Sequence, residues 1–445
     1  VTFLLRSACG GLLGLARRLQ DEGHEVELVT TDPEAHLVGK GLVDRSTRHT
    51  ASAGEIIVNA SPTRFAGNAR VIGASLRPPT LEPPDYWKTF VQAGEASAFL
   101  ARQAGVVRWR LLGDHGELCG LPAMLRRYLA TQAGRRGTWL LCPDLDGLEV
   151  IIGGWFSGDR WVLPFYGRLA EHHWLAMPDD TEPTPAGGLG PCTPGERSVL
   201  WTFGDDEPVL TTETLDLLTD RLTANGYVGP VEATAYVARD GTVRAGRATV
   251  GFQGDALPAF LSLWDEGTVG DQLRDLVEGE LRTIACDREA LALTLRVSVP
   301  PYPTPAPGVA ARRAGWPLDP MLQGNPARFY LSDAMRGDGG PALAGRDGFA
   351  AVLTAVGPDL AELRLELLEI ASYLEIPEKQ YRADTPIGYA EDLWRRLRGL
   401  GLLVGPPDPP HVTRPGDEGE DAPNDGGTPE AADDGGRPDP YSEFT

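Results

Sequence analysis

The first thirty residues place the strongest constraint on the fold. An apolar run, Phe3-Leu4-Leu5, leads to a glycine turn at Gly10 and Gly11, a helical stretch through Arg17, Arg18 and Leu19, a turn at Glu22-Gly23, and a strand over 25–29. Strand, helix and strand joined by such short links form a crossover unit, in which the two strands lie parallel. Apolar strands over 56–58 and 71–73 extend the same sheet. The chain is therefore expected to open with a parallel α/β domain of the nucleotide-binding type.

The stretch LRPPTLEPPDY at 76–86 holds four prolines. It is read as irregular and taken as the first boundary. Beyond it, strands are predicted over 138–141, 148–155, 160–165, 231–237 and 241–245, interleaved with amphipathic helices, which is an α+β pattern. The last two strands are joined by Arg239-Asp240-Gly241, a tight hairpin signal. A second proline-rich break, VPPYPTPAPG at 299–308, precedes a smaller α+β region that contains a helix predicted from Leu360 to about Leu374.

The last 41 residues, from Gly405, contain nine prolines and eleven acidic against two basic residues. They cannot bury enough apolar surface to offset ordering entropy and are expected to be disordered. The divisions are thus 1–84, 85–290, 291–404 and 405–445.

Composition excludes several roles. With 41 basic and 63 acidic residues and a net charge of -22, the surface does not attract phosphate backbones or anionic membranes. No nucleic-acid or membrane partner is expected; small molecules are. The five cysteines are widely spaced with no C-x-x-C pair, which argues against a disulfide framework or structural zinc. Together with the absence of an 18-residue apolar run, this reads as a cytoplasmic protein. Oligomeric state is not legible.

Chemistry enters with Gly10-Gly11-x-x-Gly14. Glycines after a strand let an anion approach backbone N–H groups at a helix N-terminus, although such a segment is equally an ordinary turn. Other segments, taken together, carry more. Gly147-x-Glu149 precedes a strand, Glu171-His172-His173 follows one, and Gly187-Gly188-Leu189-Gly190 forms a glycine loop. VIGAS at 71–75, PPYP at 300–303 and Tyr381-Arg382-Ala383-Asp384 complete an ordered set. Taken in chain order, the segments resemble the phosphoribosylamine-glycine ligase family of ATP-grasp ligases, in its short divergent form.

The resemblance implies an N-terminal α/β domain, an ATP-grasp domain over 85–290 and a small C-terminal domain. It implies ATP-dependent amide formation in purine biosynthesis: a carboxylate is phosphorylated, and an amine attacks the acyl phosphate. ATP and Mg2+ are the implied cofactors, because phosphoryl transfer requires neutralised phosphate charge. By position in the family pattern, Arg110 falls at the phosphate-binding and catalytic lysine and Glu149 at the ribose contact. His172 falls at a catalytic position, Gly10, Gly11, Gly187, Gly188 and Gly190 at the substrate, and Glu232 and Thr249 at the metal.

Four departures accompany the likeness. Arg247 stands where the family has its metal-binding Glu, Gly251 where it has Arg, Arg110 where it has Lys, and Cys142-Pro143 at the adenine hinge. A guanidinium cannot ligate Mg2+, which takes oxygen ligands. Arg110 is open to two readings, phosphate donor or solvated strand residue, and Glu149 to two, ribose contact or hairpin cap. Two functions therefore stand: an active carboxylate-amine ligase, and a catalytically degenerate ATP-grasp protein serving as a binding or scaffolding module.

Overall fold

A computed structural model describes residues 1–402 apart from 49, 51, 53, 62–69, 74–79, 82–87, 91, 103–108, 114–115, 131–138, 144–147, 172–196, 205–207, 252–255, 301, 303–306 and 383–394. The acidic tail expected over 405–445 lies outside the described residues.

The opening unit folds as its spacing predicts. Strand β1 (Thr2–Ser7), helix α1 (Leu13–Asp21) and strands β2 (Glu25–Thr30), β3 (Asp44–Arg45), β4 (Ile56–Asn59) and β5 (Arg70–Gly73) build a parallel sheet in the order β3-β2-β1-β4-β5. Helix α1 buries Leu13, Leu15, Ala16 and Leu19. Arg18 is buried on the same helix and is balanced one turn on by Glu22, 3.0 Å away.

Strand β6 (Thr80–Leu81) corrects the reading of 76–86 as irregular throughout. It pairs Thr80 with Thr249 and Leu81 with Ala248 at the edge of a large sheet. The two residues lie between Pro-Pro pairs and keep their own N–H groups, and an edge strand needs to pair on one side only.

A small antiparallel sheet follows, built from β7 (Lys88–Phe90), β8 (Trp109–Gly113), β9 (Gly116–Gly120) and β10 (Trp139–Pro143) in the order β7-β10-β8-β9, with helices α2 (Ala93–Ala101) and α3 (Pro122–Leu129). Its core of Leu100, Trp109, Leu111, Leu125, Leu129, Trp139 and Leu141 is separate from the main one.

The remaining elements are β11 (Leu148–Ser157), β12 (Trp161–Glu171), β13 (Arg197–Phe203), α4 (Pro208–Thr212), α5 (Thr219–Ala224), β14 (Val228–Val237), β15 (Val243–Val250), α6 (Ala256–Leu263), α7 (Val269–Val277), β16 (Leu291–Ser298), α8 (Pro307–Ala311), β17 (Phe329–Leu331), β18 (Ala334–Gly337), β19 (Gly340–Leu343), β20 (Phe349–Gly357) and α9 (Leu360–Tyr373). Nine strands form one sheet in the order β17-β20-β16-β13-β12-β11-β14-β15-β6, and β18-β19 is a separate hairpin. Every residue of β16 is buried, and both α6 and α9 pack on it and on β20. Helix α9 starts at Asp359, whose carboxylate accepts from the N–H groups of Ala361 and Glu362.

The N-terminal sheet and the large sheet share one hydrophobic core. Gly10, just after β1, packs closely on the C-terminal region: a Cβ there would lie 2.1 Å from the carbonyl oxygen of Ser332. Arg17 reinforces the contact by donating to the carbonyls of Leu322 and Gln323. Among the described residues, no helix is long and apolar enough to cross a membrane.

Candidate functional site

The sequence candidates that the structure brings together lie on one face of the nine-stranded sheet. Gly153 on β11 pairs with Glu232 on β14 and with Tyr166 on β12, so these three side-chain positions share a face. Glu149, four residues before Gly153 on the same regular ladder, shares that face; Thr249, the cross-strand partner of Glu232, does too. Sequence reasoning put Glu232 and Thr249 together at a metal and Glu149 at the ribose, and register places all three on one face.

Gly153 has a steric role here. A Cβ on it would lie 2.1 Å from the ring of Tyr166, so the glycine lets that ring cross the strand toward Glu232. Tyr166 Oη donates to Glu232 Oε1 at 3.2 Å. Burial, with the neighbouring Glu232 carboxylate, holds the Tyr166 hydroxyl well above its ordinary pKa, so it remains a donor.

The main partner of Glu232 is a residue the sequence reading missed. Arg168 on β12 donates Nε to Oε1 at 2.9 Å and Nη2 to Oε2 at 2.6 Å, a bidentate fork that uses both carboxylate oxygens. Arg168 Nη1 donates to Ser198 Oγ at 3.2 Å, and the Ser198 N–H donates to Thr294 Oγ1 at 2.8 Å. All four residues are buried, Arg168 at 7% and Glu232 at 5% exposure. The available signal was an arginine inside the apolar strand VLPFYGRLA, two positions from a tyrosine and so on its face.

These residues do not fit a divalent cation. Both oxygens of Glu232 already accept from a guanidinium, Thr249 adds one neutral hydroxyl, and the cationic Arg168 in contact with Glu232 would repel Mg2+. The neighbouring strand adds no carboxylate: Ala233 pairs with Ala248 and Ala235 with Ala245, which leaves Gly246 and Arg247 in a bulge opposite Thr234. Among the described residues, one group of three acidic side chains lies close enough to share an ion, Asp275, Glu278 and Glu280 at the C-terminal end of α7, where Glu278 also pairs with Arg70.

Other candidates lie elsewhere. Arg110 sits on β8 of the small sheet, with its backbone paired to Cys142 on one side and Cys119 on the other, so the phosphate position and the hinge position of the sequence reading are cross-strand neighbours. Gly10 and Gly11 follow β1 in the parallel sheet, where Gly10 is buried against Ser332 and Gly11 is exposed. His172, Gly187, Gly188 and Gly190 lie outside the described residues.

No protein-family model and no curated protein sequence matches the chain. Solved structures do match it. The phosphoribosylamine-glycine ligase of Thermotoga maritima superposes with a TM-score of 0.63 at 13% identity, covering 86% of this chain and all (100%) of that one. An N5-carboxyaminoimidazole ribonucleotide synthetase from Thermus thermophilus gives 0.48 at 12% identity over 85% and 99% of the two chains. An L-amino acid ligase from Bacillus licheniformis gives 0.48 at 10% over 84% and 98%. The likeness to the Thermotoga enzyme shows the fold: this chain has the multidomain ATP-grasp architecture of phosphoribosylamine-glycine ligase.

Proposed function

We propose that this chain is a cytoplasmic ATP-grasp protein of the carboxylate-amine ligase class, acting on small molecules and holding a nucleotide against the face that carries Glu149 and Glu232. The observation behind this reading is the correspondence of the fold with a phosphoribosylamine-glycine ligase over the whole of that chain. In this class a carboxylate takes the terminal phosphoryl group of ATP, and an amine attacks the acyl phosphate to give an amide, ADP and phosphate. In our reading Glu149 contacts the ribose, Arg110 from the small sheet donates to the phosphates, and His172 with the loop of Gly187, Gly188 and Gly190 meets the substrates. Gly10 and Gly11 are assigned to a substrate at the end of β1. No step is assigned to a metal at Glu232 and Thr249.

A second reading, a catalytically degenerate module that binds without turnover, is favoured by the Arg168 to Glu232 fork, which occupies the carboxylate that a phosphoryl-transfer site would use for its cation. One experiment separates the readings. ATP binding is measured by isothermal titration calorimetry on wild type and Glu149→Ala, followed by ADP release in the presence of phosphoribosylamine and glycine. Binding that weakens in Glu149→Ala together with substrate-dependent ADP release supports the ligase. Binding without ADP release supports the degenerate module as a nucleotide binder, and no binding at millimolar ATP refutes the ligase and leaves the fold as a scaffold.

A further inference from the structure

Charge is unevenly spread along this chain. Residues 88–143, the span of the small sheet and its two helices, hold eight basic and three acidic side chains, a net charge of +5. The whole chain carries -22, which leaves -27 on the rest. A lobe of one sign on a body of the other concerns what the surface attracts, not how the chain folds.

Helices α2 and α3 lie together over one face of the small sheet, where Ala96, Leu100, Leu125 and Leu129 meet Trp109, Leu111, Trp139 and Leu141. Their outer sides turn away from it. On α3, Leu121 is 41% and Met124 59% exposed; with half-buried Tyr128 they fall at i, i+3 and i+7, a single stripe. Arg127 stands one turn beyond Met124, and Arg126 is exposed beside it. On α2, Gly94, Ala98 and Ala101 are exposed at i, i+4 and i+7, and Arg102 follows as the C-cap.

Among the described residues, the guanidinium groups of Arg102, Arg126 and Arg127 have no hydrogen-bond or ion-pair partner. The helix dipole accounts for basic residues in a last turn. It does not account for the exposed apolar stripe next to them, or for the small side chains of α2.

An acidic polypeptide segment matches each part. Its carboxylates pair with the guanidinium forks, an aliphatic side chain covers Leu121 and Met124, and Gly94, Ala98 and Ala101 let its backbone come close. Nucleic acid fits less well. It calls for a longer basic track and for stacking aromatics, and its outlying phosphates would meet a body of charge -27.

We propose that the outer face of α2 and α3 docks an acidic polypeptide segment bearing aliphatic side chains, supplied by a partner protein and held by Arg102, Arg126, Arg127 and the stripe of Leu121 and Met124. Docking there does not require the nucleotide site.

The probe is a short fluorescein-labelled peptide that repeats Glu-Glu-Leu, titrated with the full chain and followed by anisotropy. Saturable binding is expected, weakening about fivefold or more as salt rises from about 0.05 to about 0.3 M, because exposed charges are screened. In the Arg126→Glu, Arg127→Glu double variant the affinity is expected to fall about tenfold or more. Both side chains are exposed, so the melting temperature is expected to stay at the wild-type value. Met124→Ser is expected to weaken binding about two- to fivefold, which a purely ionic contact would not show.

Affinity that either variant leaves unchanged overturns the proposal, as does no binding at about millimolar peptide. A single-stranded oligonucleotide of equal charge that binds more tightly than the peptide, and is lost in the same double variant, assigns the face to nucleic acid. Concentration-dependent dimerisation in sedimentation velocity, abolished by that variant, assigns it to a second copy of this chain. Either result overturns the proposal.

Discussion

Glu232 and Arg168 are buried together, and each is tolerable only because of the other. Removing one partner leaves an uncompensated charge, which costs about 3–5 kcal/mol. Arg168→Met and Glu232→Leu are therefore each expected to lower the free energy of denaturant unfolding by about that amount, whereas the double variant recovers most of the loss. Additive losses would show that the fork contributes nothing as a pair. At Gly10 the constraint is purely steric. Gly10→Ala forces a methyl group against the Ser332 carbonyl and is expected to cost about 1–3 kcal/mol in a melting experiment. Unchanged stability would mean that the N-terminal turn does not rest on the C-terminal strands. The Gly10-Gly11-x-x-Gly14 pattern was legible in the sequence as a glycine turn. That its first glycine answers to Ser332, over three hundred positions away, was not, because no local signal marks a long-range contact.

Among the elements, helix α6 places Phe260 among Trp155, Tyr166 and Trp264, with ring centroids 5.8, 5.0 and 5.6 Å away. Phe260→Ala is expected to cost about 3–5 kcal/mol, read by urea denaturation. In the parallel sheet, Arg48 ties β2 to the approach of β4 by donating to Glu27 at 2.8 Å and to Glu55 at 2.5 and 2.9 Å. Hydrogen bonds from Arg48 hold both carboxyls below their ordinary pKa. An acid whose pKa is lowered by folding contributes stability above its unfolded pKa, about 4.3 for Glu, and that contribution is lost as pH falls through the folded value. Arg48→Met is thus expected to flatten the acid limb of stability against pH below about 4.3 and to lower the plateau above it. An unchanged acid limb would show that Arg48 does not set these carboxyls.

Cohesion is uneven across the whole molecule. The first sheet and the nine-stranded sheet share a core, whereas the small sheet of β7 to β10 with α2 and α3 has its own. A lobe with a separate, smaller core opens at lower free energy than the body. Native-state hydrogen exchange is expected to show weaker protection for the amides of β8 and β10 than for β11, β14 and β16. Equal protection would refute independent opening.

Local sequence was enough to specify the elements: the strand-helix-strand opening, the hairpin at Asp240-Gly241, the strands over 148–155 and 231–237, and helix α9. All rest on apolar periodicity and turn chemistry, which act over a few residues, and the order of short motifs carried the family likeness. Which side chains meet was settled by strand pairing in three dimensions. Register placed Glu149, Glu232 and Thr249 on one face, and it delivered Arg168 to the carboxylate that the sequence reading had reserved for a metal. A one-residue slip in β12 would turn Arg168 to the opposite face, so the chemistry of the site depends on strand pairing across 64 positions of chain.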